Sequence, residues 1–145
     1  MIALIQRVSE ARVRVDGRTV GEIGPGVLAL IGVERDDAEP QAARLLERLL
    51  GYRIFADEAG RMNRSLADTG GGLLLVPQFT LAADTRKGTR AGFSTAAEPE
   101  RARALFGVLL QQARAAHARV ACGEFGAEMQ VSLTNEGPVT FWLQS

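Results

Sequence analysis

Apolar and polar residues alternate from the start of the chain: Ile2, Leu4 and Val8, then Val13, Val15 and Val20, with Asp16-Gly17 where a tight hairpin turn fits. This alternation predicts an opening antiparallel meander. From Val27 to Val33 the pattern becomes one continuous apolar run, VLALIGV, entered through Gly24-Pro25-Gly26. A strand buried on both faces, central in its sheet, has that pattern. After Asp36-Asp37, read as an N-cap region, Ala42, Leu45, Leu46, Leu49 and Leu50 recur at helical spacing until Gly51, which predicts a first helix over Glu39 to Leu50. YRIF, Tyr52 to Phe55, reads as a strand; DEAGRMNRSLADTGGG reads as a polar loop with two turn signals; LLLV, Leu73 to Val76, reads as another buried strand. A second helix starts near Pro99, with Ala102, Leu105, Phe106, Leu109, Leu110 and Ala113 on one apolar stripe. The chain closes on two strand-like runs, MQVSLT and VTFWLQ, separated by Gly137-Pro138. That step could simply turn a hairpin.

The order of elements, without repeat, linker or low-complexity tract, predicts a single α+β domain over residues 1–145. Its mixed or antiparallel sheets would pack against two main helices. At this length a chain buries roughly two thirds of its unfolded surface and needs no covalent staple. Apolar residues make up 46% and charged residues 23%, an ordinary globular balance. No apolar run reaches the ~20 residues that span a bilayer, and no signal-peptide pattern opens the chain, so a cytoplasmic protein is expected. With 17 basic and 17 acidic residues the charge balances, which argues against a broad phosphate-coating surface and leaves room for a short local nucleic-acid contact.

Candidate chemistry narrows by elimination. One cysteine, Cys122, and one histidine, His117, are too few for a zinc site of side-chain ligands, and neither sits in a nucleophile pattern. Gly21, Gly24 and Gly26 lead into a strand and read as turn punctuation, Gly70-Gly71-Gly72 as a flexible approach to the next strand, and Lys87-Gly88-Thr89 lacks the glycine spacing of a phosphate loop. What remains is PQFTL, Pro77 to Leu81, ahead of a long polar stretch running to Glu98. Pro77 ends its strand and would free the backbone N–H groups of Gln78, Phe79 and Thr80 for a ligand, as an oxyanion site requires. The other reading is a capped strand end with Phe79 in the core. Arg86, Lys87 and Arg90 in the same stretch are either solvated or placed to grip one or two phosphates.

PQFTLAADTRKGTRAGFS, the closing MQVSLTNEGPVTFWLQ, the opening MIALIQRV and LGYRIF together resemble the bacterial D-aminoacyl-tRNA deacylases over essentially the whole chain. The resemblance implies a cofactor-free homodimer acting on aminoacylated tRNA. Such an enzyme hydrolyses the ester joining a D-amino acid, or glycine, to the 3′-terminal adenosine and spares the L ester. It further implies that Gly137-Pro138 is a cis peptide reaching into the partner subunit's pocket as the chiral selector, braced by Arg7. Glycine is admitted because only a side chain of the wrong hand meets that backbone. Thr80, with Gln78 and Phe79, matches the catalytic motif, whose usual first residue, serine, is replaced here by Pro77. Thr80 is then nucleophile or scaffold, the alternative being water activated by the terminal ribose 2′-OH. Phe125 and Met129 match positions around the penultimate strand that line the adenosine pocket, although strand spacing also suits core residues. Trp142 is expected in the core or at the dimer interface. A non-catalytic module binding the RNA 3′ end is the competing function.

Overall fold

A computed structural model describes all residues 1–145. The opening meander is present: β1 (Ile2–Val15) turns at Asp16-Gly17 into β2 (Arg18–Ile23), followed by β3 (Gly26–Gly32). After α1 (Glu39–Gly51) come β4 (Phe55–Ala56), β5 (Met62–Arg64), a one-turn helix α2 (Leu66–Thr69) and β6 (Gly72–Pro77). A 3-10 turn (Phe79–Ala82), α3 (Pro99–Ala116), β7 (Val120–Cys122) and β8 (Gln130–Gln144) complete the chain. This is the expected mixed α+β architecture with two main helices.

β1 is long enough to serve two neighbours on one edge. Its first half pairs with β3 and its second half with β2, while β8 runs antiparallel along the whole of its other edge. β3 then pairs in parallel with β6, and β6 with β7. The central place expected for VLALIGV holds, since both faces of β3 are covered: Val27, Ala29 and Ile31 face one core and Leu28 another, as Leu73 and Leu75 face one and Leu74 and Val76 the other in β6. The larger core lies between the sheet and the two helices. From α1 it takes Ala42, Leu45, Leu46 and Leu49, from α3 Ala102, Leu105, Phe106, Leu109 and Ala113. Each large buried aliphatic there contributes about 1.5–3 kcal/mol.

Four local readings change. Gly26 and Gly72 face each other where β3 and β6 begin, and a Cβ on Gly26 would stand 2.0 Å from the Gly72 carbonyl oxygen. Close backbone approach, rather than turn punctuation at Gly26 or flexibility at Gly72, requires these glycines. The stretch YRIF is mostly not strand, since Tyr52 caps α1 and Ile54 is core; only Phe55 pairs. The polar stretch after it forms β5 and α2, with Ser65 capping α2 by accepting from the Asp68 N–H. Asp37 does not cap α1, whose N-cap is Ala38; its carboxylate accepts instead from the Met1 ammonium at 2.5 Å and the Glu34 N–H at 2.6 Å.

Candidate active site

The end of β6 builds the first part of the site. Adjacent residues of a strand direct their N–H groups to opposite sides. The Gln78 N–H goes to the Ile31 carbonyl of β3 at 2.7 Å, so the Pro77 nitrogen faces the β7 side, where pairing has already ended at Leu75 with Cys122. Proline fits there because no partner strand remains for it to bond. Gln78 therefore spends its N–H in the ladder and does not offer it to a ligand. Phe79 and Thr80, the first two residues of the 3-10 turn, have N–H groups with no carbonyl inside the turn to receive them.

The side chains of Phe79 and Thr80 point outward, whereas Ala82 is buried. Phe79 is 61% exposed, which rules out its place in the core. The Gln78 side-chain amide donates to Thr80 Oγ1, fixing Thr80 as an acceptor and leaving its own hydroxyl proton free. Beside them lies a cavity of about 460 Å³ whose walls include Pro77, Gln78, Phe79, Pro99, Phe125 and Met129. None of its lining residues is ionisable. Phe125 is half-buried between the Phe106 ring, 6.2 Å away, and the Arg103 guanidinium, 4.8 Å from its centroid. Met129 stands immediately before β8, and its sulfur accepts from the Glu124 N–H at 3.3 Å.

The second part sits within β8. Gly137-Pro138 does not turn a hairpin: the residues before and after it pair with the same strand, β1, in the same direction. Gln6 opposes Thr140 and Val8 opposes Asn135, so two steps along β1 face five along β8, and Glu136–Val139 bulge out of the sheet. Asn135 clamps the base of this excursion. Its Oδ1 accepts from the Val139 N–H at 2.7 Å, while Nδ2 donates to the Thr140 hydroxyl at 3.0 Å and the Val139 carbonyl at 3.2 Å. Arg7 holds the tip, donating from Nε to the Glu136 carbonyl at 2.8 Å and from NH1 to the Ile54 carbonyl at 2.7 Å. The Gly137-Pro138 peptide is cis, and Gly137 has φ +149°, where a Cβ would lie 2.7 Å from Val139 Cγ2. Neither residue lines the cavity beside Gln78 and Phe79.

The third part is the loop beyond the 3-10 turn. Arg86 donates to both carboxylate oxygens of Asp84, from Nε at 2.8 Å and NH2 at 2.7 Å. These hydrogen bonds hold the Asp84 carboxyl well below the usual carboxylate range, and Asp84 in turn raises Arg86. The Arg86 fork is thus occupied, whereas Lys87 and Arg90 form no ion pair. His117 caps the end of α3 and pairs its Nε2 with the Gly71 carbonyl at 2.6 Å, far along the fold from this turn.

A family model described as D-Tyr-tRNA(Tyr) deacylase matches residues 4–144. This chain belongs to that family. Among curated proteins, the D-aminoacyl-tRNA deacylase of Thioalkalivibrio sulfidiphilus is 74% identical, with 99% of this chain and 97% of that one covered. The same-named protein of Alkalilimnicola ehrlichii is 70% identical over 100% of this chain and 97% of its own. A solved structure described as c-Myc DNA unwinding element binding protein is 35% identical with a TM-score of 0.96, covering 100% of this chain and 99% of that one. Family membership makes the chain a hydrolase of the deacylase class, with translation proofreading as its context.

Within the deacylase, Gln78, Phe79, Phe125 and Met129 share one cavity, while Thr80 stands next to it on the same turn. Gly137, Pro138 and Arg7 form a separate cluster. Sequence reading missed Asn135. Asparagine just ahead of a Gly-Pro step is a signal for side-chain bonds to nearby backbone, and it could have been read that way. Trp142 is 51% exposed on β8, so its place in the core of this chain is excluded.

Proposed function

We propose that the chain hydrolyses the ester between a D-amino acid, or glycine, and the 3′-terminal adenosine of tRNA, and rejects the L ester. One observation carries the reading: an apolar cavity of adenosine size adjoins a turn presenting free amides and a hydroxyl, with no ionisable side chain in its walls. Such a wall suits a base and ribose, and such a turn suits alignment of an ester rather than proton transfer by a side chain. Water adds to the ester carbonyl, its proton passing by way of the ribose 2′-OH; the carbonyl carbon to 3′-oxygen bond breaks, and that oxygen leaves protonated. The amides of Phe79 and Thr80 stabilise the charge that develops on the carbonyl oxygen. Aminoacyl esters are labile already, so alignment and modest charge stabilisation supply the rate.

The selector is the Glu136–Val139 excursion, acting in the pocket of a second copy. Support comes from its absence from the cavity of its own chain, from the outer edge of β8, which pairs with no strand, and from Trp142 exposed on that strand. A homodimer places one subunit's Gly137-Pro138 backbone against the α-carbon of ester bound in the other. Lys87 and Arg90 reach the acceptor end of the tRNA, with Arg86 shaping their loop. No helix is long and apolar enough to cross a membrane, and the reading puts the enzyme in the cytoplasm, where charged tRNA is.

Purified protein incubated with matched D-Tyr-tRNA, L-Tyr-tRNA and Gly-tRNA tests the reading. Loss of the D and glycyl esters with the L ester retained is the expected result. Folded protein that cleaves none of them transfers the weight to a module that binds the RNA end without chemistry.

A further inference from the structure

The loop that follows the 3-10 turn is closed at its neck. Asp84 and Gly92 exchange both backbone hydrogen bonds, at 2.7 and 3.0 Å, and the Thr95 hydroxyl donates to the Ala82 carbonyl at 2.5 Å. Within this frame Phe93 packs on Phe79 with ring centroids 5.2 Å apart. Both rings face solvent, Phe93 at 44% exposure, so the pair buries little and its stability in water is not its evident use. Phe79 also forms a wall of the apolar cavity, and Gly92 and Ser94, the chain neighbours of Phe93, bound a second cavity of about 470 Å³ together with Asp84, Arg86, Lys87 and Arg90, none of them apolar. An apolar pocket, an exposed aromatic pair and a cationic hollow thus follow one another along the surface. A single-stranded nucleic acid has matching parts in the same order: a terminal base, a next base, and the phosphates that join them.

We infer that this loop is a second nucleotide subsite: Phe93 stacks the base of the unpaired nucleotide preceding the terminal adenosine, and Lys87 and Arg90 take its phosphates. The inference rests on the adenosine reading of the first cavity and extends it by one nucleotide. Arg86 is not among the phosphate contacts. Its guanidinium is committed to Asp84, and it serves as a positioning residue that sets the direction of the loop tip. Of the three cations in this loop, the two that carry the contact are the two without a carboxylate partner.

Equilibrium binding of two probes that carry no aminoacyl ester, adenosine and the ribotrinucleotide CCA, tests this without any turnover. Stacking of one added base is worth roughly 1–3 kcal/mol, which converts to about 5- to 150-fold, so the wild-type protein should bind the trinucleotide at least about fivefold more tightly than adenosine. Phe93→Ala should remove most of that gain and Phe93→Tyr should keep it. Lys87→Gln with Arg90→Gln should lower the salt slope for the trinucleotide by about 1.4, at ~0.7 per phosphate on a single strand. Equal affinity for the two probes, or a gain untouched by Phe93→Ala or lost in Phe93→Tyr, overturns the subsite. Protein that shows the gain yet cleaves no charged tRNA keeps the subsite and overturns only the hydrolase reading.

Discussion

Thr80 is the residue on which the two chemical routes part. As a nucleophile it would need a base to take its proton, and its only side-chain partner is the Gln78 amide, which donates to it. A donor cannot take a proton, so the geometry favours Thr80 as a support for the turn and for bound water. Thr80→Ala should then lower single-turnover hydrolysis of D-Tyr-tRNA by about tenfold, the worth of one hydrogen bond of about 1 kcal/mol with some loss of alignment. Removal of a covalent nucleophile costs about 10⁴ or more, and a loss of that size would restore the covalent route. Pro77 bears on the same question, because a prolyl ring carries no hydroxyl that could replace Thr80. The turn after β6 was legible as a motif, since a proline after LLLV announces a strand end. Its amide inventory was not legible, because the bond from Gln78 to Ile31 depends on a strand more than forty residues upstream.

At the scale of elements, β8 shows what local pattern reading misses. MQVSLT and VTFWLQ each carry strand periodicity, and Gly-Pro between them is a turn signal, so two short strands were a fair expectation. Their union into one strand is enforced by β1, which is long enough to pair with both halves and has no partner of its own for the four residues between. The same long-range pairing explains why Arg7 matters: it lies on β1 opposite the excursion, and its side chain ties Glu136 to Ile54. If the excursion is the selector, its rigidity sets discrimination. Asn135→Ala, which removes four side-chain hydrogen bonds, one of them to Gln6 on β1, should raise the ratio of L to D ester cleavage by about tenfold with the fold intact by circular dichroism. Arg7→Lys should act in the same direction, because a lysine cannot reach both carbonyls with one planar fork. Unchanged discrimination in both variants would separate the excursion from stereochemical choice. By contrast, the helices and β3 followed directly from periodicity, since their apolar stripes meet a core that any folded arrangement of this chain must cover.

The whole molecule leaves two functional parts unjoined. The cavity with Gln78, Phe79 and Phe125 and the excursion with Gly137-Pro138 lie on one chain but do not line one pocket. The proposed two-fold dimer would close both gaps at once, since an isologous contact that brings one excursion to the other subunit's cavity does the same in return. Subunit mixing examines this directly. A pocket variant, Phe79→Ala, retains a sound excursion; an excursion variant, Gly137→Ala, retains a sound pocket but forces a side chain against Val139 at a left-handed backbone position. Each alone should be poorly active on D-Tyr-tRNA. In a mixed population, half the dimers are hybrids, and each hybrid holds one site with a sound pocket facing a sound excursion, so about a quarter of all sites recover. Recovery to about a quarter of wild-type activity after coexpression is the expected outcome. A mixture no more active than its parents would mean that each pocket is completed by its own chain or needs no excursion at all. Trp142→Glu supplies the companion measurement: placed on the exposed face of β8, the new charge should yield a folded monomer by light scattering, and that monomer should lack activity for the same geometric reason.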